Sequence, residues 1–316
     1  MKRIYFGSEV FQNIKQKEFT SLKLGPMERK PFKRNHFIPR VILEHWVTRS
    51  SRYLGVWVYD IPEKRKYFAE ARGKKAFSFA ALPDLYIPKL DDSRLLSMEK
   101  WFASQEAALA SLLKQVKSRQ DPLKFKDPST LWATQIGIQA MAGRSRYDIE
   151  VISRSIEDQP ELREIVGSNK QASDHQVALE NLIHLCEERA HKYNPLEIDF
   201  FFSAEQDFLM CDRPLFYSPD ETEFWLVMTN RLMLNGRKSH NLTLRYRYND
   251  VTAQQLSTLN ELITQMARYW IMAKDEKQLD QYITLVKQGL WRSNREREEI
   301  LVRRPQHLRT GWRITK

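Results

Sequence analysis

Apolar and polar positions follow two different periods along the chain. Apolar residues recur every three or four positions in some stretches, which predicts helices over residues 36–47, 93–118, 128–142, 173–192, 252–273 and 276–288, with shorter helices within 147–166. Elsewhere they alternate with polar residues or form short runs, which predicts strands at residues 56–60, 76–80, 198–203, 208–212, 224–229 and 242–248. The segment AEQD at 204–207 predicts a hairpin between two of these strands.

The order of these elements predicts an α+β fold. Helices precede the main run of strands and return after it, which differs from the alternating order of βαβ units. We expect a predominantly helical protein with an antiparallel sheet formed mainly from residues about 198–248. A chain of 316 residues is long for one core and short for two large ones, so we expect a single domain over 35–288, between a basic N-terminal arm (1–34) and a basic C-terminal tail (289–316).

Positive charge is concentrated at the two ends of the chain, whose net charge is +11. Residues 1–34 and residues 287–316 each contain nine Lys or Arg and three Glu, so each segment contributes +6 and the remainder is close to neutral. Basic segments favour contact with phosphate, and Trp291 and Trp312 in the C-terminal segment can stack on bases. We therefore expect nucleic acid as a partner, with solvated tails that aid solubility as the alternative.

Several classes of site are excluded by missing motifs. Cys186 and Cys211 do not form a CxxC pair, and no Cys/His set has the spacing of a zinc site. The sequence also lacks GxxxxGK[ST], GxGxxG, HExxH and GxSxG. No signal-like segment begins the chain and no apolar run approaches the roughly 18 residues of a membrane span, so a cytoplasmic protein without a membrane partner is expected.

Two carboxylates share the apolar face of the helix predicted at 93–118. Glu106 falls between Phe102 and Leu109 on the apolar stripe, and Glu99 precedes Glu106 by seven residues, about 20° around the helix. A buried carboxylate needs a partner or a raised pKa. The two glutamates are therefore either members of structural ion pairs or candidates for acid–base catalysis and metal binding.

The N-terminal end of the domain supplies two further polar candidates. Pro39 suits the first turn of a helix, since its missing N–H would have no partner there. His36 lies just before this helix and Arg40 just inside it, where both can face polar groups from later segments. A hydrogen-bonded core histidine is the alternative for His36.

The middle of the chain adds candidates on a helix and at a strand end. Gln139 and Gln135 lie one turn apart on the helix predicted at 128–142, and Arg144 follows where the helix dipole favours a cation. Asp212 and Arg213 end a predicted strand. Asp212 is suited to cap a turn, to bind a metal or to contact a base, and the glutamines are equally suited to bond buried backbone groups.

These residues lie in segments that resemble the bacterial domain-of-unknown-function family 4238. The resemblance covers residues about 35–275 and is carried in order by NHFIPRVILEHW, MEKWFASQEAALASLL, QAMAGRSR, FLMCDRPLFY and VTAQQLSTLNELITQMARYWIMAKDE. The chain differs from the family pattern where Arg146 replaces the usual proline. The family has no assigned activity, so the resemblance implies an organisation of the chain and not a mechanism.

Two hypotheses for function follow. In the first, the chain is a metal-dependent nuclease that acts in defence or as a toxin, and its catalytic residues are His36, Glu99, Glu106 and Asp212. Mg²⁺ or Mn²⁺ would be held by His36, Glu106 and Asp212, and the substrate by Arg40, Gln139, Arg144 and Arg213. In the second, the same polar residues form a structural network, and the chain is a non-catalytic adaptor that binds nucleic acid or a protein partner through its termini.

Overall fold

The computed structural model describes residues 35–73, 76–82, 92–117, 119, 128–143, 146–158, 178, 186–194, 196–218, 222–239 and 245–287. The predicted basic arm and tail lie outside these ranges. The labelled helices are α1 (Arg40–Leu43), α2 (Asp92–Lys117), α3 (Pro128–Gly143), α4 (Arg146–Asp158), α5 (Ala253–Met266) and α6 (Glu276–Lys287). Residues 186–192 are also helical. None of the described helices is long and apolar enough to cross a membrane.

The strands form three sheets. They are β1 (Asn35–His36), β2 (Thr48–Ser50), β3 (Tyr53–Asp60), β4 (Arg65–Glu70), β5 (Ala81–Leu82), β6 (Leu196–Phe202), β7 (Met210–Cys211), β8 (Leu215–Tyr217), β9 (Glu223–Thr229), β10 (Leu232–Lys238), β11 (Arg245–Asp250) and β12 (Trp270–Ala273). The first five-stranded sheet has the order β2-β3-β12-β7, with β4 also paired to β3. The second has the order β11-β6-β10-β9-β8, and β1 pairs with β5.

The structure is α+β, but the prediction of a predominantly helical protein with one main antiparallel sheet is wrong. A second five-stranded sheet is built largely from residues before position 71, where the sequence pattern predicts only one of its strands. β4 is polar for a strand because it contains Arg65, Lys66 and Glu70, and charged residues of this kind are common on edge strands. The sheet formed by β6 and β8–β11 is also not wholly antiparallel, since β11 runs parallel to β6.

The predicted hairpin around 204–207 is wrong as well. β6 pairs with β10 and β11 in one sheet, whereas β7 pairs with β12 in the other. Side chains in the connection explain the separation, because Arg231 forms an ion pair with Asp207 and Asn230 donates to the same carboxylate. The connection is therefore held against the β9–β10 turn, and the chain passes from one sheet to the other.

Three predicted elements differ in type or extent. The helix predicted at 36–47 is divided into β1, the short α1 and a 3-10 turn at Glu44–Trp46. The strand predicted at 76–80 is a 3-10 turn at Ser78–Ala80 followed by β5. The helix predicted at 252–273 ends at Met266, and β12 occupies its last residues.

The N-terminal elements are fixed to the β7 region by a buried tryptophan. Trp46 is fully buried, and its indole N–H donates to the backbone oxygen of Phe208 at 2.7 Å. A buried indole needs such a partner, since leaving its N–H without one costs about 1–3 kcal/mol. This contact joins residues 162 positions apart and brings α1 next to the strand that leads to Asp212.

The helix α5 is fixed to the same region by a buried amide. Thr252 and Gln255 form a capping box that begins the helix. Two turns later, the Oδ1 of Asn260 accepts the N–H of Leu209 at 2.8 Å, and its Nδ2 donates to the backbone oxygen of Asp207 at 3.1 Å. The side-chain amide of Asn260 thus makes the hydrogen bonds that a neighbouring strand would otherwise make to the backbone beside β7.

Asn260→Ala is expected to lower the free energy of unfolding by about 1–3 kcal/mol, because it leaves the buried N–H of Leu209 without its acceptor and removes one of two donors to the backbone oxygen of Asp207, which Gln278 also contacts. Urea unfolding followed by circular dichroism measures the change. Ser257→Ala, at an exposed position of the same helix, is the control and should cost less than about 0.5 kcal/mol. An equal loss in the two variants would contradict the role of the amide.

Candidate functional site

Asp212 lies between β7 and β8 and is only 1% exposed. Its Oδ1 accepts the backbone N–H groups of Arg268 at 2.8 Å, Tyr269 at 3.0 Å and Trp270 at 3.2 Å. In return, its own backbone N–H donates to the oxygen of Trp270 at 3.3 Å. One carboxylate oxygen therefore holds the bend that separates α5 from β12.

The second oxygen of this carboxylate is in a different situation. Oδ2 of Asp212 is buried and has no hydrogen-bond partner among the residues that the structure describes. Burial raises the pKa of Asp212, although the three backbone N–H groups and the nearby Arg213 favour the charged form. A buried carboxyl with a raised pKa and an unused oxygen is suited to exchange a proton with a bound group.

A second carboxylate is linked to this centre through Tyr269. The Tyr269 hydroxyl donates to Oε2 of Glu150 on α4, and the Nε of Arg146 donates to Oε1 of Glu150 at 2.7 Å. The guanidinium of Arg146 also lies 4.2 Å from the centre of the Tyr269 ring. These contacts place α4 against the same bend that Asp212 holds, because the backbone of Tyr269 contacts Asp212 and its side chain contacts Glu150.

The protonation states of this network follow from its surroundings. Burial, and next the hydrogen bond to Glu150, raise the pKa of the Tyr269 hydroxyl, so it remains a proton donor at neutral pH. Burial is the largest single effect on Arg146 and lowers its pKa, but the hydrogen bond to Glu150 and the negative charge of neighbouring groups together outweigh burial, and the pKa is raised. Arg146 is therefore a fixed cation whose charge also interacts with Asp212.

Gln139 enters the site from α3. Its Oε1 accepts the hydroxyl of Tyr217 at 2.6 Å, and its backbone oxygen accepts the thiol of Cys186 at 3.2 Å. The guanidinium of Arg189 lies 4.1 Å from the centre of the Tyr217 ring. Tyr217 ends β8, the strand that follows Asp212, so α3 and the residues around Asp212 are joined through one short strand.

Gln135, one turn earlier on α3, is the less usual of the two glutamines. It is 2% exposed, and within the described part of the chain both its amide nitrogen and its amide oxygen are buried without a hydrogen-bond partner. Such a group costs about 1–3 kcal/mol in the absence of a ligand. A side chain that offers one donor and one acceptor in a buried place is suited to pair with a polar ligand of the same kind.

The structure brings together part of the set that the sequence predicts. Gln139, Asp212 and Arg213 lie around β8, as described above. Arg40 is instead half-exposed at the start of α1, where its Nε donates to Glu44 at 3.1 Å. His36 lies in β1 opposite Ala81 and is partly buried.

Of the two glutamates predicted on the apolar face of α2, the structure describes the side chain of Glu106. Glu106 is only partly buried, although Phe102 and Leu109 on either side of it are in the core. The side chain of Glu99 and the whole of Arg144 lie outside the described residues. The predicted roles of Glu99 and Arg144 stay predictions.

A metal centre is not assembled in the described part of the chain. No group of three or more His, Cys, Asp or Glu side chains there is placed to hold a metal ion, so His36, Glu106 and Asp212 are not gathered into one. The thiols are not suited to nucleophilic chemistry either. Burial raises the pKa of Cys211, whose Sγ donates to the backbone oxygen of Arg213, and Cys186 is a buried free thiol.

Sequence reasoning misses Glu150 and the side chain of Tyr269. The spacing of Arg146 and Glu150, one helical turn apart, is visible in the sequence, but it is equally typical of an exposed ion pair. Tyr269 falls in the segment predicted as helix, so its backbone bond to Asp212 has no local signal.

The model of a protein family described as "Protein of unknown function (DUF4238)" matches residues 34–277, which contain every strand from β1 to β12. The match confirms the resemblance found in the sequence. No curated protein and no solved structure is significantly similar to the chain.

Gln135→Leu and Gln139→Leu are expected to change stability in opposite directions. The first removes an amide without partners and should raise the free energy of unfolding by about 1–2 kcal/mol, whereas the second removes the acceptor of the Tyr217 hydroxyl and should lower it by about 1–2 kcal/mol. Urea unfolding of the two variants measures the difference. The two substitutions are matched in size and lie on one helix. A change of the free energy of unfolding with the same sign in both variants would contradict the conclusion that Gln139 has a side-chain partner and Gln135 has none among the described residues.

Asp212→Asn is expected to alter how stability depends on pH. Because the pKa of Asp212 is raised on folding, the folded chain binds the proton more tightly, and the contribution of this group to stability falls as the pH rises through the unfolded and then the folded pKa. Asparagine does not titrate, so the variant should gain stability relative to the wild type as the pH rises from about 4. Urea unfolding across a pH series measures the difference, and a constant difference would contradict the raised pKa.

Proposed function

Because this chain belongs to DUF4238, a family of unknown function, its activity must be argued from its own residues, and we propose that it is a nucleic-acid-interacting protein with a catalytic centre at Asp212. The observation that carries the proposal is the unpartnered Oδ2 of Asp212 within a network that also contains arginine and tyrosine side chains. The fold alone would support many functions, so the proposal rests on the site.

The groups around Asp212 suit the hydrolysis of a phosphodiester. A buried carboxyl with a raised pKa and an oxygen that has no partner is suited to take up and release a proton during the reaction. Arg146 and Arg213 supply positive charge for a phosphate, and Tyr269, which holds Asp212 through its backbone N–H, places its hydroxyl on Glu150 beside Arg146. If Mg²⁺ or Mn²⁺ takes part, Asp212 would be the ligand that the protein contributes from this centre.

The charge of the chain supports a polyanionic substrate. A net charge of +11, with +6 at each end, favours a polymer of phosphates over a neutral ligand. Charge alone does not distinguish RNA from DNA. A role in defence or as a toxin remains a prediction from the sequence.

The second candidate function is a non-catalytic nucleic-acid-binding or adaptor protein. One specific observation favours it, since Oδ1 of Asp212 accepts three backbone N–H groups and so has a complete structural task. A carboxylate that holds a bend in this way is important to the fold whether or not it has a catalytic role. The two candidate functions differ in the role of Oδ2, which exchanges a proton in the catalytic protein and has no chemical role in the adaptor.

The test is incubation of purified protein with labelled RNA, single-stranded DNA and duplex DNA, with and without Mg²⁺ or Mn²⁺. Asp212→Asn keeps an oxygen for the three backbone N–H groups but removes the carboxyl proton. We expect the wild type to cleave at least one polymer and the variant to do so about 100-fold or more slowly, which is the usual contribution of an acid–base group.

Asp280→Asn is the matched control, because Asp280 is an exposed carboxylate that pairs with Lys66 on the surface. This control should cleave at the wild-type rate. Binding without cleavage by the wild type would overturn the catalytic proposal and leave the adaptor. Equal cleavage by wild type and Asp212→Asn would remove Asp212 from the mechanism.

A further inference from the structure

The hairpin of β2 and β3 ends in an exposed group of arginine and aromatic side chains, which we call the arginine–tyrosine tip. It consists of Arg49, Arg52, Tyr53 and Leu54, all exposed. Arg49 lies directly opposite Leu54 in the β2–β3 ladder, and Arg52 lies 5.1 Å from the centre of the Tyr53 ring. The connection is short, since Ser50 pairs with Tyr53, so the four residues lie in the turn or in the two ladder pairs that flank it.

Apolar side chains are exposed here to an unusual degree. Tyr53 is 44% exposed and Leu54 is 36% exposed, and Val41 at 42% completes the set of large exposed hydrophobic residues in the described part of the chain. Tyr53 and Leu54 are adjacent in the chain, so two of these three exposed side chains belong to the tip. A concentration of exposed apolar groups within one polar-rimmed region is typical of an interaction site.

The charge of the tip is positive and is not neutralised. The sequence contains no Asp or Glu between Glu44 and Asp60. Within the residues that the structure describes, Arg49 and Arg52 form no ion pair, whereas arginines elsewhere do.

Those paired arginines show the contrast clearly. Arg237 and Arg247 on the second five-stranded sheet are bonded to Glu197 and Asp199, and Arg119 is bonded to Asp250. Even beside the tip, Arg40 and Arg72 share the carboxylate of Glu44. The free cationic charge of this region is therefore concentrated on Arg49 and Arg52.

We propose that the arginine–tyrosine tip binds single-stranded nucleic acid. A base stacks on the exposed Tyr53 ring, and the adjoining phosphates are held by Arg49 and Arg52. Stacking needs an unpaired base with an open face, which single strands offer and duplexes do not. The inference rests on the proposed function, because it names the surface that captures the polymer.

The geometry of a hairpin suits this task. Directly opposed residues in an antiparallel ladder have Cα atoms about 5 Å apart and share a face, so Arg49 lies on the face of Leu54, while Tyr53 lies on the other face with Arg52 against its ring. Arg52 can therefore hold the phosphate of the base stacked on Tyr53, and Arg49 a neighbouring phosphate where the strand passes around the hairpin. Ser51, in the turn, has a left-handed φ of 54°, which a residue other than glycine adopts only at some cost. The turn thus fixes where the backbone presents the two arginines, whose exposed side chains are left to bind a ligand.

The test measures binding of the full chain to a fluorescein-labelled single-stranded RNA, the matching single-stranded DNA and the duplex, by fluorescence anisotropy at several salt concentrations. Tyr53→Ala should bind the single strands about tenfold or more weakly, and Tyr53→Phe should bind as the wild type does. Arg49→Gln/Arg52→Gln should reduce the slope of log Kd against log salt by about 1.4, since two phosphate contacts are lost from a single strand.

The double variant Lys277→Gln/Lys287→Gln removes the same charge from exposed positions of α6 and is the matched control. If the variants at the tip bind no more weakly than this control while the wild type binds nucleic acid, the inference about the tip is overturned and the proposed function stands. If the wild type binds none of the three polymers, both are overturned. Tighter binding of the duplex than of the single strands would also overturn the inference, and thermal unfolding of each variant verifies that it is folded.

Discussion

Three backbone N–H groups converge on one oxygen of Asp212, and much of the described fold depends on that convergence. The contact stops α5 and turns the chain into β12, which then lies between β3 and β7. Residues near the beginning, the middle and the end of the matched region therefore meet in one sheet. The arrangement has a cost, because it buries a carboxyl group whose pKa is raised in consequence.

The local part of this arrangement could be predicted from the sequence, and the long-range part could not. The beginning of α5 has a local signal, since Thr252 and Gln255 form a capping box. Its end has none, because the apolar spacing continues through residue 273 while the N–H groups of 268–270 bond to a residue more than 50 positions away. A hydrogen bond of that kind overrides helical periodicity, which is why the strand β12 was not predicted. The strand β4 was not predicted for a different reason, since its charged residues hide the strand pattern.

For the candidate site as well, only the features that are visible in a single segment could be predicted from the sequence. A polar residue at a strand end or on an apolar helix face draws attention in a sequence, which is how Asp212 and Gln139 were found. Glu150 and Tyr269 were not, because each looks ordinary in its own segment and they become a pair only when α4 packs on the bend after α5. Glu106 shows the opposite error, since a place on the apolar stripe of α2 did not bury it fully.

The positions of the two proposed sites place a constraint on the ligand. Tyr53 begins β3, and Asp60, at its other end, pairs with Trp270, whose N–H bonds to Asp212. Seven residues of extended strand separate the two ends by about 23 Å. A mononucleotide could not contact the arginine–tyrosine tip and the Asp212 centre together, whereas a polymer of several nucleotides could. The separation along β3 therefore favours a chain-like substrate that is held at one end of the strand and processed at the other.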